Sequence, residues 1–191
     1  MARHPRASDA SNTMIRAFLI KVGEFHLSHS FDVGNGVGKK KWIKIKNETF
    51  NNSCAYCEKK ESASEKLTID HLIGLNRDEC GLHHPGNVVP ACRSCNSSKK
   101  KKDKKVKVNR AWIDHLEDIC LTIDDYKKRK KRIMDHISSE DYPKLTDDEL
   151  NALKAVAAHL YLTVQSELEK SLNLFKEIDV TLVKGRVNKS I

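Results

Sequence analysis

The chain holds six cysteines, and four of them form two pairs of equal spacing, Cys54-Ala-Tyr-Cys57 and Cys92-Arg-Ser-Cys95, with 34 residues between the pairs. Two sulfurs three positions apart on a tight turn can face one ion, and two such turns complete the tetrahedron of a structural zinc site. The most apolar early stretch, Ala17 to Ile20, is broken at once by Lys21 and is too short for a signal-peptide core. An intracellular, cytoplasmic chain with reduced thiols is therefore expected, which favours metal binding over a disulfide framework. With sulfur in all four positions the ion has no open place for water and acts as a staple. The tetrathiolate site carries a net −2, lowering the formal charge of +9 to about +7. Cys80 and Cys120 stand apart and read as free thiols or core fillers.

Between the pairs lies a short run with acid, imidazole and amide groups. Leu67, Ile69 and His71 alternate with Thr68 and Asp70, which predicts a strand. Residues 76–86 are rich in turn formers and break that period. A second short strand is expected over Asn87 to Cys92, followed by a helix from Arg93. The order strand, loop, strand, helix puts Asp70-His71 and Cys95-Asn96 where they can converge. His83 and His84 sit in the loop, have no metal-binding partner at a matching spacing, and read as loop or phosphate-contacting residues.

Ile-Asp-His-Leu-Ile (69–73) followed by Gly-Asn-Val-Val-Pro-Ala-Cys-Arg-Ser-Cys-Asn-Ser-Ser-Lys (86–99) resembles the HNH endonucleases, the ββα-metal nucleases. Its setting between two Cys-x-x-Cys pairs resembles the zinc-stapled branch of that family, which includes endonuclease VII-like and restriction-like enzymes. The resemblance spans about residues 50–105 and places His71, Asn87 and Asn96 at the name-giving positions, with Asn in place of the last His. It implies that Asp70 and the carboxamide of Asn96 hold one hard divalent cation, Mg²⁺ or Mn²⁺, as oxygen ligands suit. His71 is implied as general base, since a free imidazole pKa of about 6.5 leaves it neutral near physiological pH. Asn87 is implied to bond across the loop, while Lys99 and Arg93 hold phosphates. The substrate implied is DNA, duplex or branched, in roles such as restriction or phage defence. The alternative is a zinc-stabilised module that binds nucleic acid or recruits partners without cutting.

Charge distribution agrees with a polyanion partner. Residues 1–110 carry 22 basic and 11 acidic side chains, net +11, whereas residues 111–191 carry 13 and 15, net −2. Residues 99–107 hold seven lysines and one aspartate; Lys100, Lys101, Lys102, Lys104 and Lys105 are expected to follow a DNA backbone. The six cations from Lys127 to Arg132 fit either that use or a solvated helix face. No apolar run approaches the ~18 residues of a membrane span, so no membrane partner is expected.

The fold class expected is α+β: a ββα-metal core with a four-cysteine zinc site and a mainly helical C-terminal part. Three stretches are expected: a flank over 1–49, the nuclease module over 50–108, and a helical region over 109–191. Residues 1–12 read as a loose arm, Thr13 to Leu27 as a helix, and Gly34 to Gly38 as a flexible turn. Trp42 to Phe50, with Ile43 and Ile45 alternating, reads as a short strand. Thr146 to Glu149 forms a capping box that opens a helix with Leu150, Leu153, Ala157, Leu160, Val164, Leu168, Leu172 and Phe175 on one stripe. That stripe suits either a core or a homodimer seam, and Val180 to Val183 suits a terminal strand.

Overall fold

Two four-residue strands hold the centre of the molecule, a computed structural model that describes residues 6–99 and 111–180. Strand β1 (Thr68–His71) pairs antiparallel with β2 (Val88–Ala91), setting Asp70 opposite Val89 and His71 opposite Val88. Helix α3 (Arg93–Lys99) follows at once, completing a ββα unit. Pro90 is tolerated because β2 is an edge that needs no donor there. Its carbonyl instead accepts from the Ala55 N–H at 2.7 Å, which ties the first cysteine turn to the sheet.

Helices surround this unit on both sides in sequence. Helix α1 spans Ala7–Leu27, and α2 spans Gly36–Lys44 and runs into a π-helical turn over Ile45–Thr49. After the sheet come α4 (Trp112–Ile119), α5 (Ile123–Ser139) and α6 (Asp147–Ile178). The main core joins Phe31, Ile45 and Phe50 to Tyr56, Leu72, Val88 and Val89, and to Trp112, Leu116 and Ile133. It therefore draws on all three stretches of the chain. A second core packs Ile15 and Leu19 of α1 against Ala157 of α6, with Cys80 and Leu82 beneath them. Cys80 is fully buried as a core filler there, while Cys120 is half-buried against the main core.

Several expectations change. The arm is shorter than expected, because the Asp9 carboxylate accepts from the Arg6 N–H at 2.8 Å and helix α1 begins at Ala7. The expected strand near Trp42 is helical instead: Ile45 and Phe50 are buried on one face, whereas Ile43, which a strand would set beside Ile45, is exposed. The turn expected over Gly34 to Gly38 is shorter: it covers residues 33–35, and Gly36, at a φ of 56° that a Cβ would strain, already opens α2. The Thr146 capping box forms as expected, with the hydroxyl accepting from the Glu149 N–H at 3.2 Å. The α6 stripe is split. Ala157 is buried against α1, but Leu168, Leu172 and Phe175 lie exposed. Val180 continues the last helix rather than opening a strand, and residues 181–191 lie outside the described residues. No helix among the described residues is long and apolar enough to cross a membrane.

Candidate nuclease site and metal centre

The two cysteine pairs meet. The sulfurs of Cys54, Cys57, Cys92 and Cys95 all lie within 4.8 Å of one another, and those of Cys57 and Cys92 are 3.6 Å apart. Tetrahedral zinc with Zn–S bonds of about 2.3 Å needs S···S distances near ~3.8 Å, so the cluster fits the ion. Each pair is shaped by its backbone. The Glu58 N–H donates to the Cys54 carbonyl at 2.9 Å, and the Asn96 N–H donates to the Cys92 carbonyl at 3.0 Å. Crowding already divides the thiols: hydrogen bonding with Cys57 pushes Cys54 up to about 12, while hydrogen bonding from Cys54 and Cys95 pulls Cys57 far below the ordinary thiol value. A cation in the middle is what allows all four to ionise together.

A basic clasp holds the first turn from outside. Arg129 of α5 donates through Nη1 to the Tyr56 carbonyl at 2.9 Å, and Arg132 Nη1 lies 3.2 Å from the Glu58 carboxylate. Only 13% and 24% of these two side chains is exposed. The run from Lys127 to Arg132 is thus divided. Its arginines face inward onto the cysteine turn, while Lys128 and Lys131 stay in solvent.

Next to this centre stands the acid-imidazole-amide group. Asp70 is buried at 5% exposure, and its Oδ2 accepts from the hydroxyl of Tyr56, itself fully buried, at 2.6 Å. Thr68 and Asp70 are two residues apart on β1 and so share a face of the sheet. Asn96 reaches that face from α3: its amide nitrogen donates to the Thr68 hydroxyl at 3.0 Å and to the Ile69 carbonyl at 3.2 Å. With the nitrogen so engaged, the amide oxygen is left buried with no hydrogen-bond partner. A buried acceptor in that state calls for a cation or water, and a carboxamide oxygen on the sheet face that Asp70 shares is a ligand type that suits a hard divalent ion. The residues present therefore fit Mg²⁺ or Mn²⁺.

Asn87 is 1% exposed and spans the loop. Its Oδ1 accepts from the Ile73 N–H at 2.8 Å, and its Nδ2 donates to the carbonyls of Ile73 at 3.0 Å and Leu82 at 2.8 Å. The chain that leaves β1 after His71 is thereby pinned to the chain that enters β2. His71 Nε2 lies 2.9 Å from His83 Nδ1, and His83 Nε2 lies 2.9 Å from the Phe31 carbonyl oxygen. The loop histidines are thus not phosphate-contacting groups. His83 faces His71, and His84 is buried at 3% exposure with its Nδ1 accepting from the Gly86 N–H at 3.1 Å. Burial pulls the His84 pKa down to about 4 and lowers that of His83.

Sequence reasoning missed Tyr56, Thr68 and the pairing of His83. Tyr56 is hidden as a spacer inside the first Cys-x-x-Cys, and no periodicity singles it out. The twelve residues from His71 to His83 match no ligand spacing, because a loop and not a regular element closes the distance. Arg93 is exposed at the start of α3. The side chain of Lys99 and all of Lys100, Lys101, Lys102, Lys104 and Lys105 lie outside the described residues.

No curated protein and no solved structure matches the chain. The family model described as HNH endonuclease matches residues 54–102, from the first zinc-type cysteine through the ββα unit. With its four cysteines gathered around one point, this segment is similar to HNH endonuclease domains and consistent with the zinc-binding branch of that family.

Proposed function

We propose that the chain is a metal-dependent DNA endonuclease, with Zn²⁺ on Cys54, Cys57, Cys92 and Cys95 as a structural ion and one Mg²⁺ or Mn²⁺ held by Asp70 and Asn96. The observation that carries this reading is the buried Asn96 amide oxygen, which makes no hydrogen bond on the same sheet face as the Asp70 carboxylate.

In this reading a phosphodiester lies over the open end of the ββα unit. A divalent ion held by Asp70 and Asn96 would supply Lewis-acid stabilisation of the charge that develops on the phosphate and the leaving oxygen. Neutral His71 accepts a proton from water; the water oxygen attacks phosphorus, the P–O3′ bond breaks, and the leaving 3′ oxygen takes a proton from solvent. The products carry a 5′-phosphate and a 3′-hydroxyl. Tyr56 orients the Asp70 carboxylate, Asn87 fixes the loop after His71, and Arg93 with Lys99 to Lys105 supplies phosphate contacts. The exposed apolar residues at the end of α6, Leu168, Leu172 and Phe175, support a homodimer, which a paired cut in duplex or branched DNA would use.

The test is cleavage of supercoiled plasmid with Mg²⁺ or Mn²⁺, alongside branched DNA, single-stranded DNA and RNA. Wild type should nick or cut DNA, and His71→Ala should lose roughly 10²–10⁴-fold in rate while still binding it. Binding of every substrate with cleavage of none would establish the non-catalytic module instead. Cleavage confined to RNA would reassign the substrate.

A further inference from the structure

The loop between β1 and β2 delivers a second imidazole to the nuclease site, and its bonds have a direction. The Phe31 carbonyl oxygen can only accept, so His83 Nε2, 2.9 Å away, carries the proton of that bond. A neutral imidazole has one donor nitrogen, which leaves His83 Nδ1 as an acceptor. Burial lowers the pKa of His83 and favours this neutral form. The atom 2.9 Å from that acceptor is His71 Nε2, which must then be the donor.

We infer that His83 is a positioning residue of the nuclease site: it holds the ring of His71 with the proton on Nε2 and the lone pair on Nδ1, anchored in turn by the Phe31 carbonyl. The inference rests on the reading of His71 as general base, and it names which nitrogen takes the proton from water. A ring of either tautomer, free to rotate, would present the lone pair to the substrate only part of the time. One bond at each nitrogen of His83 removes that freedom. The arrangement parallels metal-bound histidines, whose orientation is set by the partner of the second nitrogen.

Elements outside the HNH segment fix His83 in place. A Cβ on Gly23 would fall 2.3 Å from the His83 carbonyl oxygen, so α1 lies directly against this stretch of backbone. The rings of Phe31 and His83 lie against each other, 5.0 Å apart between centroids and tilted by 34°. From the other side, the Tyr142 hydroxyl accepts from the Leu82 N–H at 3.1 Å, and the Tyr142 ring meets that of His84 edge-on at 5.5 Å. Phe31, Gly23 and Tyr142 all lie beyond residues 54–102. The matched segment alone thus carries His71 and His83 but lacks the Phe31 carbonyl that sets the proton on His83.

The full chain with His83→Leu and with His83→Gln tests this. Leucine removes both bonds; a glutamine amide can accept from His71 and donate to Phe31. The expected result is a loss in kcat of roughly 10–100-fold for His83→Leu, with KM for plasmid DNA and zinc content unchanged, and recovery of most of it in His83→Gln. Nitrogen-15 NMR of ring-labelled histidine supplies a readout independent of cutting. His71 should show the Nε2-protonated tautomer near neutral pH in wild type and lose that preference in His83→Leu. An Nδ1-protonated His71 in wild type, or a His83→Leu variant cutting at the wild-type kcat, overturns the inference. If no variant or wild type cleaves, the nuclease reading fails, while the NMR result still decides whether His83 sets the tautomer.

Discussion

Removing one oxygen from Tyr56 measures how strongly the fold depends on its buried polar pair. The phenol is fully buried and donates at 2.6 Å to Asp70, which is 5% exposed. Tyr56→Phe keeps the ring that packs in the core and takes away only the donor. A hydrogen bond to a charged group contributes about 1.5–3 kcal/mol, and little water reaches a buried carboxylate to replace it. For a chain of this size about 1 kcal/mol moves Tm by roughly 2–4 °C, so a fall of roughly 3–12 °C is expected at neutral pH. Tyr126→Phe is the control. Tyr126 also donates to a carboxylate, Glu117 at 3.1 Å, and accepts from Lys130 at 3.1 Å, but it lies at the surface, where water replaces what is lost. Its loss should cost less than about 0.5 kcal/mol. Thermal unfolding of both variants, each with its zinc content verified, compares the same chemical deletion in two environments. If Tyr56→Phe melts within a degree of wild type, or no lower than Tyr126→Phe, the pairing of Tyr56 with Asp70 does not stabilise this protein.

Three further outcomes are expected. Chain purified under reducing conditions should hold one zinc per molecule by elemental analysis, and stripping it with a strong chelator should unfold the ββα unit. Structural zinc contributes about 10–16 kcal/mol of apparent binding energy, as much as or more than the whole of a typical domain's stability. Retained far-UV and near-UV circular dichroism in the stripped protein would refute this. Second, His84 is kept neutral, with its pKa lowered to about 4 by burial, so its contribution is full above the unfolded value of about 6.5 and is lost as pH falls from there toward 4. That shift corresponds to about 3 kcal/mol, and burial lowers His136 and His83 in the same direction. Tm should therefore fall between pH 6.5 and 4, less steeply in His84→Gln; equal slopes in the two proteins would exclude His84 as a cause. Third, Leu172→Lys should abolish a concentration-dependent dimer in sedimentation velocity, and a wild type that stays monomeric at high concentration removes the seam from the proposal.

The chemistry was more legible than the scaffold. Four cysteines at two short spacings specify a metal site because the turn fixes their geometry locally, and they do gather within 4.8 Å. The ββα unit was readable for a related reason: Thr68 to His71 alternates cleanly, and Pro90 and Cys92 bound the next strand. Ile43 and Ile45 misled because two alternating residues fit a strand and a helix edge equally well, and burial of Phe50 decides between them. Tyr56 and His83 were invisible for another reason. Each acts through a contact closed by tertiary packing, 14 and 12 residues from its partner in sequence, and no local period encodes such a distance. Arg129 and Arg132 looked like their lysine neighbours for want of any local sign that Glu58 lay opposite.

The same clasp bears on what the basic runs are for. A zinc tetrathiolate would bring a net −2 into a mostly buried site, and Glu58 adds a further negative charge at the residue after Cys57. Leaving such charge in a low-dielectric setting is costly unless cations stand beside it. Arg129 and Arg132 meet that need from α5, with planar guanidinium groups that bond to backbone and carboxylate together. Their commitment leaves Lys128 and Lys131, on the same helix, with 72% and 75% of the side chain exposed. A substitution at either arginine should act first on the zinc centre and only then on DNA affinity. Lys131, whose ion pair with Asp135 stays within α5, should act on affinity, and Lys128, 3.9 Å from Glu58, should act weakly on both. Composition counts all six cations of the run alike, and geometry separates those that hold the protein together from those available to a phosphate backbone.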